Sequence, residues 1–167
     1  MRPNLFTVDL PGAGRVSTMA KPRGGDWLAD EMAALRGAGV GVLVCALTAE
    51  ELVEVDLADE PRAAGDAGLE FVAVPIPDRG VPAPGVVLPE LRRLAGLVRA
   101  GGHVVTHCRF GIGRSAMLAA GILALDGVPP ALAWQRLEQA RGVPVPDTPD
   151  QRTWPDALLE VDGRRWR

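Results

Sequence analysis

The chain has 167 residues, 47% of them hydrophobic and 23% charged, a profile that fits one globular domain over 1–167 and excludes a disordered chain. With 18 basic against 21 acidic residues, a net charge of −3, it lacks the basic excess of nucleic-acid binders. Two cysteines and two histidines are too few for a disulfide scaffold or a zinc cluster. No apolar run approaches the roughly 18 residues of a membrane span or the pattern of a signal peptide. The expectation is a cytoplasmic monomer with no membrane span, metal or cofactor.

Leu5 to Asp9 and Arg15 to Met19 read as short strands around the Pro11-Gly12 turn. Asp26 is placed to cap a helix running to about Arg36, stopped by Gly37 and Gly39. Val40 to Ala46 is a valine-rich apolar run, as expected of a strand buried on both faces. Thr48 with Glu51 three residues on forms a capping box that opens a helix across Leu52 to Leu57, and a shorter piece is expected at Pro61 to Ala67. Leu69 to Val74 is the next strand, followed by a loop from Pro75 to Pro84 with four prolines.

Leu91, Leu94, Ala95 and Val98 give Leu88 to Ala100 a helical period, which Gly101-Gly102 ends. His103 to His107 reads as a third buried strand and Arg114 to Leu125 as a helix. Further helices are expected from Pro130 and from near Pro149. Strands alternating with helices predict an α/β fold, a central, mostly parallel twisted sheet flanked by helices.

The informative stretch is His107-Cys108-Arg109-Phe110-Gly111-Ile112-Gly113-Arg114-Ser115, between a predicted strand and a predicted helix. That junction is where α/β folds present ligands. Gly111 and Gly113 let the backbone curl so that successive N–H groups point inward, and such a nest, closed by a helix N-terminus, binds an anion. A cysteine at its start is driven toward the thiolate by the same N–H groups and by Arg114. Arg114 can bond two phosphate oxygens at once, leaving the sulfur aligned behind the phosphorus. The leaving oxygen needs a proton, and Asp78, in Pro75-Ile76-Pro77-Asp78-Arg79-Gly80, is the candidate acid and then the base for water. Asp59 and Asp66 lie in polar stretches and read as solvated. Ser115 is placed to stabilise the departing thiolate.

His107 through Ser115 resembles the signature of the cysteine-based protein tyrosine phosphatases: His-Cys, five residues, Arg, then Ser or Thr. The short chain and the Pro-Ile-Pro-Asp loop are similar to the compact dual-specificity branch, in particular kinase-associated phosphatases, over about Trp27 to Gln151. The resemblance implies a protein tyrosine phosphatase-like α/β sandwich that hydrolyses phosphate monoesters through a phosphocysteine. In it Cys108 is the nucleophile, residues Arg109 to Arg114 the phosphate-binding loop, Arg114 the phosphate clamp and Asp78 the general acid/base. Ser115 is the thiolate stabiliser, His107 the orienter of the loop and Gln151 a residue that positions water.

No segment resembles the phosphotyrosine-recognition loop of the large tyrosine-specific enzymes, so a shallow pocket is implied and tyrosine-only specificity is not. Phosphotyrosine, phosphoserine or phosphothreonine in proteins, a phosphoinositide and a small phosphate ester all remain open as substrates. Some relatives carry a second cysteine that traps the oxidised nucleophile as a disulfide, which gives Cys45 as a redox partner for Cys108. A rhodanese-like sulfur transferase or arsenate reductase also uses a loop thiolate, but needs no acid at Asp78. A non-catalytic phosphate reader would not need Cys108, Arg114 and Asp78 together. Arg109 and Arg79 are either surface charges or the rim of the pocket, and Trp27, Trp134, Trp154 and Trp166 read as core and helix-packing residues.

Overall fold

The computed structural model describes residues 2–164. Its strands are β1 (Phe6–Thr7), β2 (Arg15–Met19), β3 (Val42–Cys45), β4 (Glu70–Ala73) and β5 (His103–His107). Its helices are α1 (Leu28–Gly37), α2 (Ala49–Glu54), α3 (Glu60–Asp66), α4 (Pro84–Arg99), α5 (Arg114–Leu125), α6 (Pro130–Arg141) and α7 (Pro149–Asp162). The strands form one sheet in the order β1-β2-β5-β3-β4, parallel throughout except for β1 against β2. The expected α/β fold, with its mostly parallel sheet between helices, is what the chain adopts.

Alternation along the central strands divides the core in two. Val42, Val44 and Val104 face one side with Leu91 and Leu94 of α4, the apolar side chains of α5, Trp134 of α6 and Leu158 of α7. Leu43, Cys45 and Val105 face the other, against Leu28, Met32 and Leu35 of α1 and Ala64 of α3. Helix α5 is buried at every position, as its apolar stretch from Ala116 to Leu125 requires. It runs under the sheet from the end of β5, so the loop joining β5 to α5 is held at both ends by core.

Three local readings need correction. Asp26 does not cap α1: it lies in a 3-10 turn over Gly25–Trp27, Trp27 takes the cap position, and no side chain caps the helix. Helix α4 begins at Pro84, four residues before the start read from its apolar period. Its first turn is exposed at Val86, proline is well suited to a first helical position, and the interior Pro89 gives up one N–H. Trp27 is half exposed, with the Arg23 guanidinium 4.2 Å from its ring centre, whereas Trp134 and Trp154 are buried as expected. Trp166 lies outside the described residues.

Candidate active site

The loops that follow β3, β4 and β5 meet at the carboxyl edge of the sheet. Cys45 is in register with His107, and beyond that pair Ala46 N–H donates to the His107 carbonyl at 3.0 Å. Val74 and Ile76 N–H groups donate to the carbonyls of Cys45 and Ala46 at 2.9 and 3.0 Å. Strand pairing therefore runs on past the strands, and it sets the Pro75-to-Pro84 loop beside the loop from Cys108 to Gly113.

The second loop is curled tightly. Gly111 has φ +73°, and a Cβ there would stand 2.9 Å from Ala20 N and Met19 C, so only glycine fits. Lys21 N–H donates to the Arg109 carbonyl at 3.0 Å. From outside, Arg141 of α6 donates to the Phe110 carbonyl at 3.3 Å and lies 4.3 Å above the Phe6 ring. Phe110 itself is exposed, and Ile112 packs against the core.

Cys108 is buried on the α5 side of the sheet, its Sγ hydrogen-bonded to Ser115 Oγ at 3.2 Å. Burial is the largest single influence on its acidity and favours the neutral thiol. The Ser115 hydroxyl, the Ser115 and Gly111 backbone N–H groups and the Arg114 charge together outweigh it, and the thiol is held below its usual range. Thr106 Oγ1 donates to the Ser115 carbonyl at 2.8 Å, tying the first turn of α5 back to β5.

Arg114 is 2% exposed. Its Nη1 donates to Glu51 Oε1 at 2.6 Å and to the Ile76 carbonyl at 2.7 Å, and its Nη2 donates to Glu51 Oε2 at 2.9 Å. Glu51 also completes the capping box of α2 with Thr48, as expected. Its place at the site was not read from the sequence. The available signal was that a buried arginine needs a carboxylate partner, and the capping-box glutamate already faced the sheet edge.

Asp78 stands above this pair, 70% exposed, with Oδ1 3.6 Å from Arg114 Nη2. Its loop turns sharply through Gly80 N–H to the Pro77 carbonyl at 2.8 Å, with Arg79 in the left-handed region at φ 63°. Helix α7 straps the loop twice: Trp154 Nε1 donates to the Pro82 carbonyl at 2.8 Å and Gln151 Nε2 to the Gly80 carbonyl at 3.2 Å. Gln151 is fully buried, and its Oε1 accepts from Asp147 N–H at 3.1 Å. The Gln151 amide is no free side chain: each of its polar ends holds a backbone group beside the site. Arg109 is no free rim charge either: it donates to Glu54 at 2.7 Å and lies 3.8 Å from Glu51.

On the other face of the sheet, fully buried His107 has Nδ1 3.1 Å from the Cys108 carbonyl and Nε2 2.7 Å from Glu60 Oε2. Cys45 shares that face, and its sulfur, the Glu60 carboxylate and the His107 ring lie within 4.8 Å of one another. Cys45 ends β3 and Cys108 directly follows the adjacent β5, but their side chains enter opposite cores, and both are free thiols. His103, at the far end of β5, is buried and bonded to Ser17 Oγ at 2.7 Å.

Residues 17–128 match the family model described as "Tc-R-P: Polymorphic toxin system, DSP-PTPase phosphatase". The chain belongs to this DSP-PTPase family. It is therefore a phosphatase enzyme of the dual-specificity type, acting on a phosphorylated substrate. The phosphatase shares its fold with kinase-associated phosphatase, solved with its catalytic-site cysteine replaced by serine, at a TM-score of 0.84 and 18% identity over 99% of each chain. It superimposes on Tk-PTP in its active form with a TM-score of 0.73 and 25% identity, over 99% of this chain and 100% of that one. Human DUSP28 follows at 0.60 and 22%, over 87% and 94%. No curated protein matches the sequence. No described helix of this DSP-PTPase is long and apolar enough to cross a membrane.

Proposed function

We propose that the enzyme hydrolyses phosphate monoesters through a covalent phosphocysteine on Cys108, with phosphotyrosine in proteins, and phosphoserine or phosphothreonine beside it, as the substrate class. The observation that carries this reading is the Cys108–Ser115 contact at 3.2 Å within a loop whose amides and arginine hold the thiol below its usual range. A sulfur so placed is biased toward the thiolate, the form that is a nucleophile for phosphorus.

The phosphate lies in the loop of residues 109–113. Glu51 takes the Nη1–Nη2 edge of Arg114, which turns the Nε edge of the guanidinium to phosphate oxygens. The Cys108 thiolate attacks phosphorus as the ester P–O bond breaks, and Asp78 gives its proton to the leaving oxygen. The Asp78 carboxylate then takes a proton from water, whose oxygen attacks phosphorus while the P–S bond breaks. The thiolate is restored with Ser115 Oγ–H donating to it. The 70% exposure of Asp78 suits a group that must reach a substrate docked at the surface.

The test is a substrate panel with wild type, Cys108→Ser and Asp78→Ala. Wild type is expected to release phosphate from phosphopeptides, and Cys108→Ser is expected to release none while still binding phosphopeptide. Asp78→Ala is expected to lose about 10²–10³-fold on esters with poor leaving groups and far less on activated aryl phosphates. Equal losses across leaving groups remove Asp78 from the acid role. Turnover by Cys108→Ser overturns the phosphocysteine.

A further inference from the structure

On the face of the sheet opposite α5 lies a charged side chain that the two chemical steps do not use. Glu60, the first residue of α3, is 0% exposed. One carboxylate oxygen, Oε2, lies 2.7 Å from His107 Nε2 as an ion-pair contact, and neither carboxylate oxygen nor Nε2 has a hydrogen-bond partner among the described residues. A carboxylate removed from water keeps its charge only beside an opposite one. The elements packed around the ring offer little else that titrates: Glu60 comes from α3, Cys45 from β3, the Cys108 carbonyl from the loop, and β2 presents Met19, in register with His107.

His107 therefore touches an acceptor at each nitrogen, the Cys108 carbonyl at Nδ1 and the carboxylate at Nε2. A proton on each nitrogen would serve the carbonyl at Nδ1 and set a positive charge directly against the buried carboxylate at Nε2. Such a ring has no lone pair for a metal ion, so the neighbouring sulfur, carboxylate and imidazole amount to an ion pair beside a thiol.

We propose that Glu60 is a positioning residue for the nucleophile: it holds His107 as an imidazolium whose Nδ1–H pins the Cys108 carbonyl and whose positive charge sits beneath the phosphate-binding loop. The positive member of the pair is adjacent to Cys108 in the chain and the negative member lies beyond it, so the dipole favours the thiolate. Burial is the strongest influence on His107 and would strip its proton. Glu60, with Cys45, more than reverses it and keeps the ring protonated well above the usual imidazole range. The proposal rests on Cys108 as the nucleophile, and Glu60 acts on it through His107.

Two measurements test it. The chain has only two histidines, so an imidazole nitrogen NMR spectrum of the wild type resolves them. At pH 7.5 His107 is expected with both nitrogens protonated. A neutral His107 at that pH overturns the proposal, and this needs no variant to fold. Second, iodoacetamide alkylation of Cys108, read by peptide mass across pH, is compared in wild type, Glu60→Gln and Glu60→Asp. In Glu60→Gln the inflection is expected to rise by about one pH unit, with alkylation about tenfold slower below it. The pH profile of kcat/KM should shift alike, and Glu60→Asp should recover part of the change. A folded Glu60→Gln whose alkylation inflection matches wild type overturns it. Alkylation reads the sulfur whether or not phosphate is released, so a wild type that alkylates at low pH but turns over no ester sinks the phosphatase reading and leaves the role of Glu60 standing.

Discussion

Arg114 and Glu51 are joined at two points, Nη1 to Oε1 at 2.6 Å and Nη2 to Oε2 at 2.9 Å, and the same carboxylate closes the cap of α2 on Thr48. One side chain thus starts a helix and aims the Arg114 guanidinium, so damage to either is felt by both.

Replacing Glu51 by Gln removes the charge that orients Arg114. The expected outcome is a fall in kcat/KM of about 10–100-fold, mostly as a rise in KM, measured with an aryl phosphate.

The same residue sets a pH dependence. The bond from Arg114 holds the Glu51 carboxyl at about 2, against an ordinary 4.5. A depressed carboxyl stabilises the fold above its unfolded value and loses that contribution as pH falls toward its folded value. Denaturant unfolding between pH 5 and 2 should show wild type losing stability faster than Glu51→Gln. Parallel curves count against the pair as a stabilising contact.

Ser115→Ala deletes the hydroxyl 3.2 Å from the Cys108 sulfur. Thiolate departure in the second step should suffer more than attack in the first. Rapid mixing should show a burst of the released alcohol, trapped phosphoenzyme and a kcat down by about 10–100-fold. Equal slowing of both steps, without a burst, argues against this role.

Gly111→Ala places a methyl group 2.9 Å from two backbone atoms of Met19 and Ala20 in a residue at φ +73°. The cost is about 1–3 kcal/mol, seen as a lower Tm, with phosphate binding weakened because the amides of the loop no longer converge. An unchanged Tm and activity would mean that the loop relaxes without loss.

Cys45 ends β3 and Cys108 follows the neighbouring β5, yet the two face opposite cores. We propose that peroxide still couples them, and that the loop must shift to let the sulfurs meet. Intact mass should fall by about 2 Da with no irreversible oxidation, and a reductant should restore activity. Sulfinic acid on Cys108 with Cys45 still alkylatable rules the pairing out.

What lies close together in the chain could be read from it. The strand-loop-helix run from His107 to Ser115, the Thr48–Glu51 cap and the alternation of strands and helices are local patterns of hydrophobicity, turn residues and spacing, and local chemistry dictates them. The start of α4 and the role of Asp26 were misread because a helix end depends on what packs or caps it, not on the apolar stripe alone. The remaining parts of the site are contacts between distant residues: Glu51 to Arg114 across 63 positions, Gln151 to Gly80 across 71 and Trp154 to Pro82 across 72. Glu60 did not stand out in the sequence, and only the packing of α3 sets it against His107. Which charge is buried, and beside which partner, is settled when the sheet and its helices close on one another, because only then is water removed and a counter-charge required.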